Sequence, residues 1–277
     1  MVLEQGSTVI NGPHQGAWVD TPSGENWFLH FQDKDAYGRV VHLQPMSWAN
    51  DWPVMGKQGQ PVLTHRKPGV GANYPAAAPA ESDDFDESRL GLQWQWQANP
   101  QAGWALPSPA YGFLRLYNIQ QPDDFVNFWQ APNLLLQKFP APEFTVTTRL
   151  SFTPRAAGER TGLVVMGTDY GWIGLRKRGD DLQLVQVSCI GADQGGAEKE
   201  WAAVPMKSAN VLLRARISAG ASVRFSYSAD GKTFVELGAP MTARAGRWIG
   251  AKVGLFALGT GPAPEFGYAD FDWFKVE

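Results

Sequence analysis

The chain has 277 residues and a formal net charge of −3, from 24 basic and 27 acidic residues. Nucleic acids and anionic membranes favour proteins with a basic surface, so this balance predicts neither partner. Thirty glycines, twenty prolines and twelve tryptophans are typical of a protein with many turns and half-buried strands, and no apolar run approaches the twenty residues of a membrane span.

Short strand-like runs fill the segment from residue 12 to residue 52. They hold aromatic or β-branched side chains at Trp18 and Val19, at residues 27–31 and at residues 40–48. The turn-forming segments TPSG at 21–24 and DKDAYG at 33–38 separate these runs. We therefore predict two hairpins of one antiparallel sheet. Such a sheet has two faces to cover, so it should pack on neighbouring sheets or on the rest of the chain.

A change in composition divides the chain. Residues 67–82, KPGVGANYPAAAPAES, are rich in proline, alanine and glycine, which predicts an extended linker. We therefore predict a first domain over residues 1–66, this linker, and a second domain over residues 83–277.

The second domain repeats strand-like runs at the spacing of an all-β sandwich. The predicted strands cover residues 93–96, 113–117, 134–138, 144–152, 160–167, 171–177, 182–190, 210–217, 222–228, 253–257 and 269–276. The Asp230-Gly231 dipeptide is typical of a hairpin turn. Eleven strands predict two stacked antiparallel sheets, arranged as a jelly roll.

Residues 270–274, DFDWF, alternate two acids with aromatic side chains. Burial of an aromatic side chain contributes roughly 2 to 3 kcal/mol. We therefore predict that Phe271 and Trp273 point inward together, while Asp270 and Asp272 face solvent or a cation.

Cys189 is the only cysteine, which excludes an intrachain disulfide and a multi-cysteine metal site. Its place in a predicted strand favours a buried, inert thiol. The first residues lack the basic start and apolar run of a secretory signal, and the cellular location is left open.

Four segments carry a resemblance to a known family: GPHQG at 12–16, WFLHFQD at 27–33, YGR at 37–39 and DWPV at 51–54. They resemble the end of the five-bladed propeller of glycoside hydrolase family 43, in its β-xylosidase and α-L-arabinofuranosidase branch. The rest of the chain resembles the β-sandwich that follows the propeller. The resemblance implies an all-β fold, with a concanavalin A-like jelly-roll β-sandwich preceded by a partial β-propeller blade remnant. It also implies that the chain is a fragment of that architecture.

The same resemblance assigns two substrate-binding residues. His14 matches the propeller-centre histidine of the family, and Arg39 matches its substrate-contacting arginine. The family's general base, its pKa-tuning carboxylate and its general acid all precede the His-Gln-Gly segment, so the resemblance places none of them in this chain. An inverting glycosidase needs two carboxyl groups about 6.5 to 9.5 Å apart, which His14 and Arg39 cannot supply.

Two acidic clusters suggest a structural calcium ion, which the jelly-roll resemblance also implies. Calcium takes six to eight oxygen ligands, and acids near the start and the end of the sandwich are candidates. The predicted ligands are Asp84, Asp270 and Asp272, with Asp83, Asp86 and Glu87 nearby. The alternative is that these acids are solvated edge residues.

Aromatic side chains suggest sugar contacts, because indole rings can stack on the apolar faces of sugars. Trp94 and Trp96 alternate with glutamines, which predicts either an exposed platform or a pair of core residues. Asp169, Tyr170 and Trp172, with the loop at 191–200, match a sandwich loop that in the family reaches toward the active site. The alternative for that segment is an ordinary hairpin tip.

Three functions follow from these patterns. The favoured one is a carbohydrate-binding, accessory part of a xylan-degrading glycoside hydrolase, which binds xylan or xylo-oligosaccharides without chemistry. The second is an active β-xylosidase or arabinofuranosidase that uses other carboxylates, for which the candidates are Asp20, Asp33, Asp35 and Asp169. The third is a structural half that needs a catalytic partner chain, whose open blade also invites self-association.

Overall fold

The computed structural model describes residues 3–12, 14–75, 77–259, 265 and 267–277. The chain divides into two compact units, Met1–Ala78 and Pro79–Glu277. Every regular element in the described ranges is a β-strand or a short 3-10 helix, and these ranges contain no helix long and apolar enough to cross a membrane. The predicted all-β fold class is therefore confirmed.

The first unit holds one four-stranded antiparallel sheet in which neighbours along the chain are neighbours in space. Its strands are β1 (His14–Asp20), β2 (Asn26–Asp33), β3 (Arg39–Ala49) and β4 (Trp52–Met55), with a 3-10 helix at Asp35–Tyr37. The strand β4 was not predicted. Asn50 and Asp51 both adopt positive φ, 51° and 61°, and so reverse the chain in two residues without the glycine that usually marks such a turn.

One face of this sheet is covered by other residues of the unit through polar contacts. His30 is buried, and its ring stacks on Phe28 and His42 at centroid distances of 5.7 and 5.4 Å. The Gln32 amide donates to the carbonyl of Val9 at 2.7 Å and contacts the His42 ring nitrogen Nε2 at 3.1 Å. These side chains join an N-terminal segment to the sheet.

The opposite face of the sheet exposes several apolar side chains. Val41 is paired with Phe31, and Leu43 with Leu29, so these side chains share the face opposite His30 and His42. We call this surface the open face and define it by Val19, Leu29, Val41 and Leu43, which are 43, 36, 68 and 40% exposed. Contiguous apolar surface of this kind is typical of an interaction site.

The second unit contains two sheets built largely from antiparallel strands. The first sheet has the order β17-β16-β15-β10-β20-β7-β6, with β18 beside β16, and the second has the order β14-β13-β12-β11-β19-β9-β5, with β8 parallel to β19. The strands are β5 (Gln95–Trp96), β6 (Ala105–Ser108), β7 (Phe113–Tyr117), β8 (Ile119–Gln120), β9 (Leu135–Lys138), β10 (Phe144–Thr153), β11 (Arg160–Met166), β12 (Tyr170–Arg178), β13 (Asp181–Cys189), β14 (Glu198–Pro205), β15 (Asn210–Ser218), β16 (Ser222–Ser228), β17 (Val235–Glu236), β18 (Met241–Thr242), β19 (Lys252–Gly259) and β20 (Tyr268–Val276).

All eleven predicted strands of this unit are present, with bounds that differ by at most two residues. The strands that were not predicted are β6, β8, β14, β17 and β18. Of these, β14 begins at Glu198, so the last three residues of the segment predicted as a loop over 191–200 belong to a strand. Three further 3-10 helices lie at Phe128–Gln130, Ala192–Gln194 and Ala219–Ala221.

A β-bulge changes the predicted inward face of β20. Thr148 of β10 pairs with Phe274, but Leu150 pairs with Phe271, so two residues of β20 lie opposite the single residue Arg149. Phe271 and Phe274 are consequently both fully buried, whereas Trp273 is only half-buried. The prediction that Phe271 and Trp273 point inward together is wrong for Trp273, because the bulge shifts the alternation by one residue.

The second sheet is buried on both faces. Every residue of β11 and of β19 is buried, which is typical of a strand covered from two sides. The connection from β8 to β9 supplies part of the cover, because its residues Phe128, Ala131 and Leu134 are fully buried and cluster with Trp172 and Phe256. The sheet is thus a middle layer between this connection and the first sheet.

A carboxylate lies at the edge of that apolar cluster. Glu198 accepts hydrogen bonds from the Tyr170 hydroxyl at 2.8 Å and from the Trp172 indole at 3.1 Å, and it pairs with the Arg160 guanidinium at 2.6 Å. The Arg160 guanidinium lies 4.7 Å from the centroid of the Phe128 ring. Burial, followed by the charge of Glu198, raises the pKa of Tyr170, so its hydroxyl stays a donor. We call these residues the Glu198 cluster.

Lowering the pH should destabilise the first unit. Burial lowers the pKa of His30, and burial with the charges of His30 and Lys34 lowers the pKa of His42. Because the unfolded chain then binds more protons than the folded chain, stability is lost as the pH falls below about 6.5, the pKa of free histidine. Amide hydrogen exchange over residues 26–46, corrected for intrinsic rates, should show weaker protection at about pH 5.5 than at about pH 7.5.

His30→Phe should reduce this pH dependence, since it keeps a ring against Phe28 and His42 but cannot be protonated. His65→Gln is the matched control, because His65 is exposed and should leave the dependence unchanged. Equal protection of the unsubstituted chain at both pH values would contradict the prediction.

Removing Glu198 should destabilise the second unit by about 3 kcal/mol, because Arg160 would stay buried without its ionic partner. The two side chains are only 21 and 11% exposed. Urea unfolding of Glu198→Ala measures the loss. The matched control is Glu236→Ala, which removes the exposed pair with Arg224 and should cost less than about 1 kcal/mol. Equal losses for the two variants would contradict a special role for the Glu198 cluster.

Candidate functional site

Three strands of the first unit bring the two residues of the family resemblance to one end of the sheet. β1 begins at His14, which pairs with Phe31, and β3 begins at Arg39, which pairs with Asp33. Both Phe31 and Asp33 lie in the last part of β2. The backbone of His14 is described, whereas its side chain lies outside the described part. We call His14, Phe31, Asp33 and Arg39 the sheet-end corner.

A β-bulge follows His14 in this corner. From His14 to Ala17 the chain advances three residues while its partner strand advances two, and Gln15 adopts a positive φ of 51°. A side chain at Gly16 would meet the Leu29 carbonyl and the Phe28 ring within 2.4 Å, so only glycine fits there. Close approach of the β2 backbone therefore explains the glycine of the His-Gln-Gly segment.

Arg39 is fixed between a carboxylate and an aromatic ring. Its Nε donates to Asp33 Oδ1 at 3.2 Å, and its guanidinium carbon lies 4.2 Å from the centroid of the Phe31 ring. The Arg39 side chain is 28% exposed, so solvent still reaches it. A guanidinium that is oriented in advance and partly exposed is suited to hydrogen-bonding hydroxyl groups of a ligand.

The alternative catalytic carboxylates are spread over both units. Asp20 pairs with Asn26 at one end of β2, whereas Asp33 lies at the other end, which at 3.3 Å per residue is about 23 Å away. Asp35 is exposed and begins the 3-10 helix that follows β2. In the second unit, Asp169 accepts a hydrogen bond from the Gly191 amide at 2.7 Å. Asp20 and Asp33 are therefore too far apart to act together on one glycosidic bond.

The tryptophans predicted as a sugar platform have different environments. Trp94 is buried between Phe85 and Phe274, and its indole donates to Asp83 Oδ2 at 2.8 Å. Burial contradicts the prediction that Trp94 stacks on a sugar, because only 8% of the residue is exposed. Trp96 is half-buried, and its ring makes an edge contact with Trp104 at 5.3 Å.

Tyr170 and Trp172 are core residues rather than ligand contacts. Both are fully buried, and their rings stack on Phe128 at 5.1 and 5.7 Å. The prediction that they bind substrate directly is contradicted by this burial. They belong to the Glu198 cluster instead.

The neighbouring loop is held by side chains from two other segments. Asp169 binds the Gly191 amide, and the Asn127 amide donates to the carbonyls of Ala192 and Gly196 at 3.1 and 2.8 Å. Beside this fixed loop Ile190 is 78% exposed. Sequence reasoning missed Asn127, because its contacts lie 65 and 69 positions away in the chain and no local pattern reports them.

Cys189 lies next to this loop and is buried, as predicted. Its thiol contacts the Gly196 carbonyl at 3.1 Å. Burial raises the pKa of the Cys189 thiol, which disfavours the thiolate and therefore disfavours a nucleophile.

The acids predicted to bind calcium are each paired with a basic side chain. Asp270 forms a two-point pair with Arg115 at 2.7 and 2.8 Å, Asp272 pairs with Arg149 at 3.3 Å, and Asp84 pairs with Lys275. Within the described ranges, no group of three or more His, Cys, Asp or Glu side chains is placed to hold a metal ion. Calcium binding by these acids stays a prediction.

Comparison with known families and proteins places the sandwich. Residues 82–277 match the family model described as β-xylosidase C-terminal concanavalin A-like domain. A protein of Xylanibacter ruminicola named putative β-xylosidase is 35% identical over 261 residues, which cover 92% of this chain and 46% of that protein. The β-xylosidase of Formosa agariphila is 29% identical over a 307-residue alignment, which covers 100% of this chain and 50% of that protein.

Solved structures agree with these relatives. The GH43 protein BlXynB of Bacillus licheniformis superposes with a TM-score of 0.80 at 26% identity, over 99% of this chain and 55% of that chain. A bifunctional GH43-CE protein of Bacteroides eggerthii gives a TM-score of 0.81 at 29% identity, over 97% of this chain and 35% of that chain. The chain spans about half the length of the curated relatives it matches. It belongs to the family of β-xylosidase C-terminal concanavalin A-like domains.

Proposed function

We propose that this chain is the carbohydrate-binding, accessory part of a GH43 enzyme that degrades xylan, and that it binds xylo-oligosaccharides at the sheet-end corner without hydrolysing them. The observation that carries the proposal is the Arg39 guanidinium, which Asp33 and Phe31 hold in one orientation at the end of the sheet where β1 begins at His14. A xylose unit offers hydroxyl groups to such a donor and an apolar ring face to an aromatic side chain.

We expect no hydrolysis because of the positions and ion pairs of the carboxylates. Glycoside hydrolysis by inversion needs one protonated and one ionised carboxyl group on either side of the bond. Asp33 is ion-paired with Arg39, and Asp20 lies at the far end of the same strand pair. The relatives named β-xylosidase are about twice as long as the stretch this chain matches, so their activity is not assigned to this chain.

A second candidate function is favoured by the open face of the first unit. Val19, Leu29, Val41 and Leu43 expose apolar side chains on one side of a single sheet. In this candidate the sheet is a propeller blade that supports a catalytic partner chain, and the open face is where that partner or a second copy packs.

Titration calorimetry with xylohexaose tests the first candidate. We expect heat that saturates, and we expect Arg39→Ala to weaken binding at least tenfold, because it removes the oriented guanidinium. Arg66→Ala is the matched control, since Arg66 is an exposed arginine of the same unit that pairs with Glu25. A flat trace would contradict binding, and heat that continues after saturation would contradict the absence of hydrolysis.

Sedimentation velocity tests the second candidate. The purified chain should associate with itself as its concentration rises, and Val41→Asp should abolish association, because a charge at the centre of an apolar contact is costly to bury. Leu63→Asp is the control, since Leu63 is 69% exposed in the same unit but is not part of the open face. A chain that stays monomeric at all concentrations would count against association through this face.

A further inference from the structure

The bulge in β20 turns Trp273 away from the core. Phe271 and Phe274 are fully buried on the inner face of the first sheet, whereas Trp273 is half-buried and lines a depression on the outer side. Bulges frequently re-aim a side chain next to a functional site. The side chain of Trp273 is therefore available to a ligand in a way that alternation along an ordinary strand would not allow.

The depression has a volume of about 360 Å³ and crosses four adjacent strands. Arg149 of β10 pairs with Leu212 of β15, and Leu212 pairs with Ser228 of β16, so these three residues form one row beside Trp273. Leu212 is half-buried and provides an apolar floor next to the indole. The volume lies at the lower end of the range of about 300 to 1,000 Å³ that is typical of small-ligand pockets.

Polar side chains at the rim are held in fixed orientations. The Asp230 carboxylate accepts hydrogen bonds through Oδ1 from the amides of Thr233 and Lys232 and from the Ser228 hydroxyl, each at 2.8 Å. These bonds, that from the Thr233 amide above all, hold the pKa of Asp230 well below its usual range, so it is an acceptor at neutral pH.

The Asn210 amide nitrogen and the Trp273 indole nitrogen are two further donors at the rim. The Ser151 hydroxyl bonds the Asn210 side-chain oxygen, and Arg149 pairs with Asp272 at 3.3 Å while its side chain stays 60% exposed. Within the described ranges, neither the Asn210 amide nitrogen nor the Trp273 indole nitrogen has a hydrogen-bond partner. Both remain available as donors to a ligand.

The chemistry of these groups selects a class of ligand. Arg149 in the lining pairs with Asp272, and Asp230 already accepts three hydrogen bonds, so the depression presents no cluster of like charges that would select an ion. An indole and a leucine offer apolar contact, while a carboxylate, an amide and a guanidinium offer both acceptors and donors. A neutral sugar ring presents the complementary pattern, with apolar C–H faces and hydroxyl groups that both donate and accept.

We propose that the depression around Trp273 is a second carbohydrate site that binds one neutral pyranose unit of a polysaccharide chain. The sugar stacks on the Trp273 indole, and its hydroxyl groups bond Asp230, Asn210 and Arg149. The site lies wholly within the second unit and uses none of the sheet-end corner, so it extends the proposed binding function to the sandwich.

Nuclear magnetic resonance of the full chain with labelled tryptophan tests this site. Titration with xylohexaose should shift the indole N–H signal of Trp273, identified by its loss in Trp273→Phe, with saturation in the millimolar range. Arg149→Met and Asn210→Ala should each weaken this titration at least threefold. Trp201→Ala is the matched control, because Trp201 is a partly exposed tryptophan of β14, and its removal should leave the Trp273 titration unchanged. The melting temperature of each variant reports whether it folds.

This experiment tests the second site independently of the sheet-end corner. An unshifted Trp273 signal in a folded chain overturns the second site, even if calorimetry finds binding that depends on Arg39. A Trp273 shift that survives Arg39→Ala supports the second site, even if the sheet-end corner binds nothing. A shift that Arg149→Met and Asn210→Ala leave unaltered also overturns the site, because the sugar would then not occupy the depression.

Discussion

The second sheet of the sandwich must be covered on both faces, and this constraint determines most of the second unit. The first sheet covers one face, and the connection from β8 to β9 covers part of the other through Phe128 and its neighbours. Buried rings on that face leave polar tips that need partners, since an unpaired buried hydroxyl or indole N–H costs about 1 to 3 kcal/mol. Glu198 supplies those partners, and Arg160 balances its charge.

Single-residue insertions shape both places where we propose ligand contacts. In the first unit a bulge follows His14, and in the second a bulge turns Trp273 outward between two buried phenylalanines. Each bulge interrupts a regular ladder beside one of the proposed sites. The partner strands β2 and β10 continue without a break opposite the two bulges.

Alternation and turn chemistry predicted the strands of the sandwich well, because half-buried strands such as β10 and β15 carry their inward face in the sequence. They could not predict the orientation of Trp273, since the bulge depends on the register with β10 rather than on β20 alone. Alternation left Trp94 as either a platform or a core residue, and it did not indicate the burial of Trp172, because rings and a carboxylate from other segments surround these indoles. The sheet-end corner was found through resemblance, and the structure adds how Asp33 and Phe31 orient Arg39.

The positions of β19 and β20 have a consequence for how the sandwich assembles. These are the last two strands of the unit in chain order, yet each is an interior strand: β20 lies between β10 and β7, and β19 lies between β11 and β9. During synthesis, the hairpins from β11 to β14 can form from neighbouring segments. Neither sheet can be completed until residues 252–276, which hold β19 and β20, have left the ribosome. Until then β7 and β9 have open edges, so the nascent sandwich depends on late insertion of two strands into gaps already formed.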